Sequence, residues 1–138
     1  MIARPHSILL DAEGVTAYAD DDKRIQTWSI VAKRTNSRFH ASAATLAEVT
    51  DGTARDANVR RVSKHIEIHE VTEEIGYKAG ALRAVATAIR KKPRDLTVDA
   101  LVAATAMALP RPVVVLTSDV ADLELLLSDE PGIRVRPL

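Results

Sequence analysis

The chain predicts an α/β fold, a three-layer α/β/α arrangement around a central parallel sheet, built as a single domain over residues 1–138. Three observations predict it. Short apolar runs rich in β-branched residues alternate with longer segments of helical periodicity, the pattern of a parallel sheet covered on both faces. The joints between them are short, so successive elements pack as layers. A length of 138 residues with 46% hydrophobic and 28% charged side chains suits one globular core that buries about two-thirds of the unfolded surface.

The elements follow in order. "HSILLD" is an apolar run ending at an acid, as in a strand buried on both faces. "DDDKRIQTWSIVAKRT" places Ile25, Trp28 and Val31 or Ala32 at helical spacing behind an acidic first turn, with Asp20, Asp21 and Asp22 as a solvated helix start. "SRFHAS" reads as the second strand, "AATLAEVTDG" as a short helix closed by Gly52, and "ARDANVRRVSKH" as a basic helix. "IEIHEV" alternates and gives a third strand. Thr72 then caps the longest helix, "EEIGYKAGALRAVATAIR", which stops before Pro93. Its Gly76, Gly80, Ala84 and Ala88 form a smooth ridge, expected to pack on the sheet, with a dimer seam as the alternative. Thr97 opens the helix "VDALVAATAMAL", "RPVVVLTSD" is a β-branched strand running into the helix "VADLELLL", and "GIRVRPL" supplies a last strand.

Composition narrows the function classes. The absence of cysteine excludes disulfides and thiolate metal sites, and fits a reducing compartment. No apolar run approaches the roughly 18 residues of a membrane span, and "MIARPHSILLDAEG" lacks a signal-type cleavage site, so a cytoplasmic protein is expected. Nineteen basic residues balance nineteen acidic ones. Nucleic-acid binding therefore requires local patches, for which Arg55, Arg60, Arg61, Lys64, Lys78 and Arg83 are the candidates. The aromatic residues number four, Tyr18, Trp28, Phe39 and Tyr77, too few for a base-stacking platform.

Ligand sites of open α/β sheets lie beyond the carboxyl ends of the strands, where strand order switches. Asp11 ends the first strand and Asp119 the strand "VVVLTS", so both belong to that rim. Asp99 sits in a first helical turn, where the dipole favours its charge, and Glu48 lies among small residues in the short helix after the second strand. Each has a plain structural reading: Asp11 and Asp119 as helix caps, Asp99 as a dipole partner, Glu48 as a surface position. Together they imply more. Carboxylates gathered in one cleft repel and protonate unless a cation holds them. An oxygen-only set suits Mg²⁺ or Mn²⁺. Histidine ligation is not expected: His65 and His69 are about 13 Å apart along an extended segment, and His6 and His40 are isolated in the sequence.

Four stretches resemble the PIN-domain family, and within it the VapC-type toxins of bacterial toxin–antitoxin pairs. They are "ILLDAEGVTAY" with Asp11, "ASAATLAEV" with Glu48, "TVDALVAATAMAL" with Asp99 and "VVVLTSDVADL" with Asp119. The last two are the most specific, and the likeness covers nearly the whole chain. The resemblance implies a PIN-like fold and a Mg²⁺- or Mn²⁺-dependent endoribonuclease that cuts structured RNA and halts translation. Asp11, Glu48, Asp99 and Asp119 would be its catalytic and metal-binding residues, and Thr117 the hydroxyl that orients the site. It also implies a cognate antitoxin covering the acidic cleft and a homodimer. Asp122 either extends the metal site or caps its helix, and Trp28 is a candidate antitoxin contact, the alternative being the core. Glu13 stands where the family more often has a small residue; a solvent-facing position is expected for it, the alternative being a further carboxylate behind the metal ligands.

Two other classes compete. Asp-x-Glu-Gly after a strand also resembles the nucleophile motif of haloacid dehalogenase phosphatases, with Asp11 attacking phosphorus. That family needs a late lysine and an acid pair, yet only twenty residues follow Ser118 and none is lysine. The third reading is a catalytically silent PIN-like binding module, against which the intact acid set argues.

Overall fold

A computed structural model describes residues 6–89, 95–128 and 130–138. Five strands form one parallel sheet in the order β3-β2-β1-β4-β5: β1 (Ser7–Leu10), β2 (Arg38–Ser42), β3 (Glu67–His69), β4 (Val113–Thr117) and β5 (Ile133–Pro137). Helices α1 (Ala12–Ala19), α2 (Lys23–Thr35), α3 (Ala43–Val49), α4 (Ala57–Ser63), α5 (Glu73–Ile89), α6 (Thr97–Met107) and α7 (Val120–Leu127) fill the crossovers. The three-layer α/β/α expectation holds.

The two central strands show why the sheet is covered twice. Successive side chains point to opposite faces. Leu9, Val113 and Val115 enter a core with α5, α6 and α7, while Ile8, Leu10 and Leu116 enter a second core with α1, α2 and α4. Burying a strand on both faces leaves no room for polar alternation, so β1 reads as the unbroken run Ile8-Leu9-Leu10, each fully buried.

Chain order places the site. From β1 the chain steps outward to β2 and β3, then returns to lay β4 against the other side of β1. Strand order thus reverses between β1 and β4, and a crevice opens beyond their carboxyl ends. Helix α3 packs against both α1 and α6, closing one flank of that crevice.

Several local expectations change. Helix α3 ends at Val49 rather than at Gly52, whose φ of +80° serves the loop beyond. The basic stretch splits into a 3₁₀ turn at Ala54–Asp56 and the shorter α4, because the buried Asp56 carboxylate turns back to accept from the Asp51 and Gly52 amides at 3.0 and 2.9 Å. Thr72 does cap α5, its hydroxyl accepting from the Ile75 amide at 3.2 Å. The stop predicted before Pro93 lies outside the described residues.

The ridge on α5 does not pack on the sheet. Helix α5 buries Ala79 and Ala86, with Ile75 and Leu82 partly buried beside them, a more apolar stripe than the glycines offer. That turns the ridge outward: Ala84 and Ala88 are exposed, and nothing lies within 4 Å of where side chains on Gly76 and Gly80 would begin. Among the described residues no helix is long and apolar enough to cross a membrane.

Candidate metal centre

Asp11 leaves β1 and enters α1. Its amide still donates to the Leu116 carbonyl of β4 at 3.2 Å, which pins it to the neighbouring strand. Its Oδ1 accepts from the Gly14 amide at 3.0 Å, so the capping reading holds as far as it goes. The carboxylate does more than cap. The Thr117 hydroxyl and the Ser118 amide also donate to it. Burial nevertheless outweighs these donors and holds the Asp11 carboxyl above its ordinary value of 3.8.

Gly14 allows this junction. A Cβ there would lie 3.0 Å from the Cβ of Leu10, tighter than most side-chain contacts, so glycine lets the first turn of α1 approach β1 without displacing Leu10.

Thr117 is fully buried at the end of β4 and connects two acids. Its hydroxyl oxygen accepts from the Asp119 amide at 2.9 Å while its proton goes to Asp11. Asp119 occupies the N-cap position of α7 but makes no side-chain cap, so the capping reading fails for it. Thr97 begins α6, as expected, and its amide donates to the Asp95 carboxylate at 2.9 Å, one residue before the Leu96 N-cap position. Asp99 therefore rises from the first turn of α6 toward the crevice.

Carboxylate oxygens of Asp99, Asp119 and Asp122 lie within 4.8 Å of one another. Asp122 is only 3% exposed, which decides against a merely solvated helix position. Three acids this close, one of them buried, form a hard oxygen donor set. Glu48 stands outside this trio: it is exposed on α3 and lines a groove with Ala12, Glu13, Thr16 and Arg24. Glu13 is half-exposed and pairs with Arg24 at 3.3 Å, tying α1 to α2.

The cations are partly committed elsewhere. Arg55 pairs with Asp51 at 2.8 Å, Arg61 donates to the Ala19 carbonyl at 3.3 Å, and Arg83 donates to the Thr97 hydroxyl at 3.0 Å. Arg60, Lys64 and Lys78 are exposed. Trp28 is half-buried against the core of α1, α2 and α4. A groove bordered by Lys33, Arg38, Lys64 and His65 opens where β2 and β3 begin, at the opposite end of the strands from the acids.

Sequence reasoning missed one constellation. His40 and His69, judged isolated and too far from other histidines, meet across β2 and β3 with His40 Nδ1 and His69 Nε2 2.8 Å apart. Only the strand register could have shown it, since β2 and β3 pair His40 with Glu67 and Ser42 with His69.

No protein-family model and no curated protein sequence matches the chain. Solved structures do. A chain of the VapBC2 complex from Rickettsia felis bound to a promoter DNA fragment superposes with a TM-score of 0.70 at 15% identity, covering 96% of this chain and 98% of that one. A chain of DNA-bound VapBC from Salmonella typhimurium gives 0.65 at 20% identity, covering 95% and 97%. One from VapBC-5 of Mycobacterium tuberculosis, a toxin–antitoxin system, gives 0.60 at 21%, covering 97% and 100%. Over nearly its full length, then, the chain has the fold of chains found in VapBC toxin–antitoxin complexes.

Proposed function

We propose that the chain is a Mg²⁺- or Mn²⁺-dependent endoribonuclease, the cytoplasmic toxin of a type II toxin–antitoxin pair, formed as one PIN-like domain. The single observation that carries this reading is the convergence of Asp99, Asp119 and Asp122 at the switch point where Thr117 also holds Asp11. The donor set fits the cation. Its atoms are all carboxylate oxygens, and their mutual repulsion is relieved by a small divalent ion.

In this reading Asp11, Glu48, Asp99 and Asp119 are the catalytic and metal-binding residues, supported by Thr117 and Asp122. A bound Mg²⁺ or Mn²⁺ supplies a water of lowered pKa and stabilises the departing oxygen of a cleaved phosphodiester. The chain's own groups prepare for that. Thr117 fixes Asp11 through its proton and Asp119 through its oxygen, so one hydroxyl sets the relation between the acids of β1 and β4. The Gly14 and Ser118 amides hold Asp11 from two further directions. Glu48, exposed on α3 and outside the close trio, would complete the set from the flank. Exposed Arg60, Lys64 and Lys78 contact the RNA backbone rather than its bases.

The structural neighbours are complexes of toxin–antitoxin systems, which supports a cognate antitoxin as partner. The outward ridge of Gly76, Gly80, Ala84 and Ala88, beside a Tyr77 that is 76% exposed, supports a homodimer in which two α5 helices approach closely.

The test is cleavage of a panel of structured RNAs with and without Mn²⁺, using the wild-type chain and Asp11→Asn. Cleavage that needs Mn²⁺ and vanishes in the variant supports the reading. Cleavage that persists in EDTA or in the variant overturns it. Turnover of p-nitrophenyl phosphate without RNA cleavage would point to the phosphatase instead.

A further inference from the structure

The edge of the sheet holds a second donor set, of a different chemistry. On β2, Arg38 and His40 point to one face, and on β3 Glu67 and His69 point to the same face, because the register pairs His40 with Glu67. His40 Nδ1 lies 2.8 Å from His69 Nε2 and 3.2 Å from Glu67 Oε2. One ligand atom from each of the three residues falls within 4.8 Å of the other two. The other carboxylate oxygen of Glu67 accepts from Arg38 at 3.1 Å, which orients the group toward the imidazoles.

Three electron-rich atoms facing one another need something positive between them. In the metal-free chain that is a single ring proton, since one histidine must donate and the other accept. The Glu67 oxygen then competes for the same proton. A divalent cation satisfies all three lone pairs at once, with the ring protons on the far nitrogens of both imidazoles.

We infer that His40, Glu67 and His69 form a second metal site, selective for late first-row divalent cations of the zinc, cobalt and nickel class, which ties the edge strand β3 to β2. Two imidazoles and one carboxylate match the donors these ions take, whereas the carboxylate rim suits Mg²⁺ or Mn²⁺. Tetrahedral ligation with bonds of about 2.0–2.1 Å sets the two nitrogens roughly 3.3 Å apart. Closure on an ion therefore asks His69 to retreat by about half an ångström. His69 is half-buried on a three-residue edge strand, and the Glu67 side chain is 47% exposed, so that movement and the entry of an ion are open to solvent. His40, 5% exposed, is the fixed member. Arg38 holds the carboxylate from behind, as outer partners of metal ligands do.

The test titrates CoCl₂ and ZnCl₂ into the full-length chain in excess Mg²⁺, which occupies the rim. Binding is followed by calorimetry and by the visible absorption of Co²⁺. The expected result is one equivalent bound, with affinity reduced at least tenfold by His69→Gln and by Glu67→Gln and unchanged by Asp99→Asn. In the wild-type chain, ring ¹⁵N shifts of His40 and His69 should both move on adding Zn²⁺, a measurement that stands even if a variant fails to fold. Unchanged affinity in folded His69→Gln, failure of the two rings to shift, or the absence of binding above Mg²⁺ overturns the proposal. None of these results bears on RNA cleavage.

Discussion

The rim beyond β1 and β4 and the edge formed by β2 and β3 each bury an ionisable group at a cost, but with opposite signs. Burial raises the Asp11 carboxyl above 3.8 at the rim. At the edge it lowers His40 below 6.5, against the partial help of Glu67. The linkage follows. For Asp11 the folded chain keeps its proton to higher pH than the unfolded chain does, so the stability it contributes is complete below 3.8 and lost as the pH rises through the folded value. For His40 the unfolded chain takes the proton first, so stability is retained above about 6.5 and falls as the pH drops through the folded value. Burial thus disfavours the charged form in both places, a carboxylate at the rim and an imidazolium at the edge. The comparison teaches that the same burial acts in opposite directions on an acid and on a base.

The largest expected effect comes from removing a rim acid. Asp119→Asn should reduce Mn²⁺-dependent RNA cleavage by at least about 100-fold, beyond the range for outer partners of a metal, as measured by single-turnover rates. Thr117→Val removes the hydroxyl shared by Asp11 and Asp119 but no carboxylate. It should weaken Mn²⁺ binding by about 10–100-fold in calorimetry, and a smaller change would deny the hydroxyl its positioning role. Gly14→Ala forces a contact of 3.0 Å against Leu10, and should cost about 1–3 kcal/mol in denaturant unfolding. An unchanged midpoint would mean that α1 shifts without penalty.

Two smaller effects separate the regions by charge. Asp11→Asn keeps a competent helix cap and removes the buried charge, so the metal-free variant should melt above the wild type at pH 7. Mg²⁺ should raise the wild-type melting temperature and not the variant's. Between pH 7.5 and 5.5 the metal-free wild type should lose stability gradually through His40, and Zn²⁺ should restore it at the upper end of that window. A melting temperature independent of pH would contradict the buried neutral histidine.

Much of the rim was legible because its signals are local. Asp11 follows an apolar run and Asp119 a β-branched one, and Asp99 opens a helix within a few residues of its N-terminus, so the positions of the acids along the elements set the rim. Asp122 is ambiguous in sequence because capping its helix explains a first-turn acid equally well. Only its burial decides. Glu48 is the weakest fit: a seven-residue helix tells little about which way its side chain faces, and it lies outside the close trio. The edge was illegible for a different reason. His65 lies in the turn before β3 rather than on the strand with His69, and the neighbour that matters, His40, comes from another strand 29 residues away. Register between strands leaves no trace in a local pattern. The α5 ridge was misplaced because four small residues attract notice, while the stripe Ile75, Ala79, Leu82 and Ala86 carries more apolar area at the same helical spacing.

The seam between β1 and β4 joins segments far apart in the chain; the Ser7 hydroxyl donates to the Pro110 carbonyl 103 residues later. Synthesis proceeds at about 5–20 residues per second, so a ribosome making this protein carries Asp11 for several seconds before Asp119 exists. During that interval the nascent chain has no complete acidic centre, so whatever Asp11 and Asp119 do together begins only once nearly the whole chain has been made.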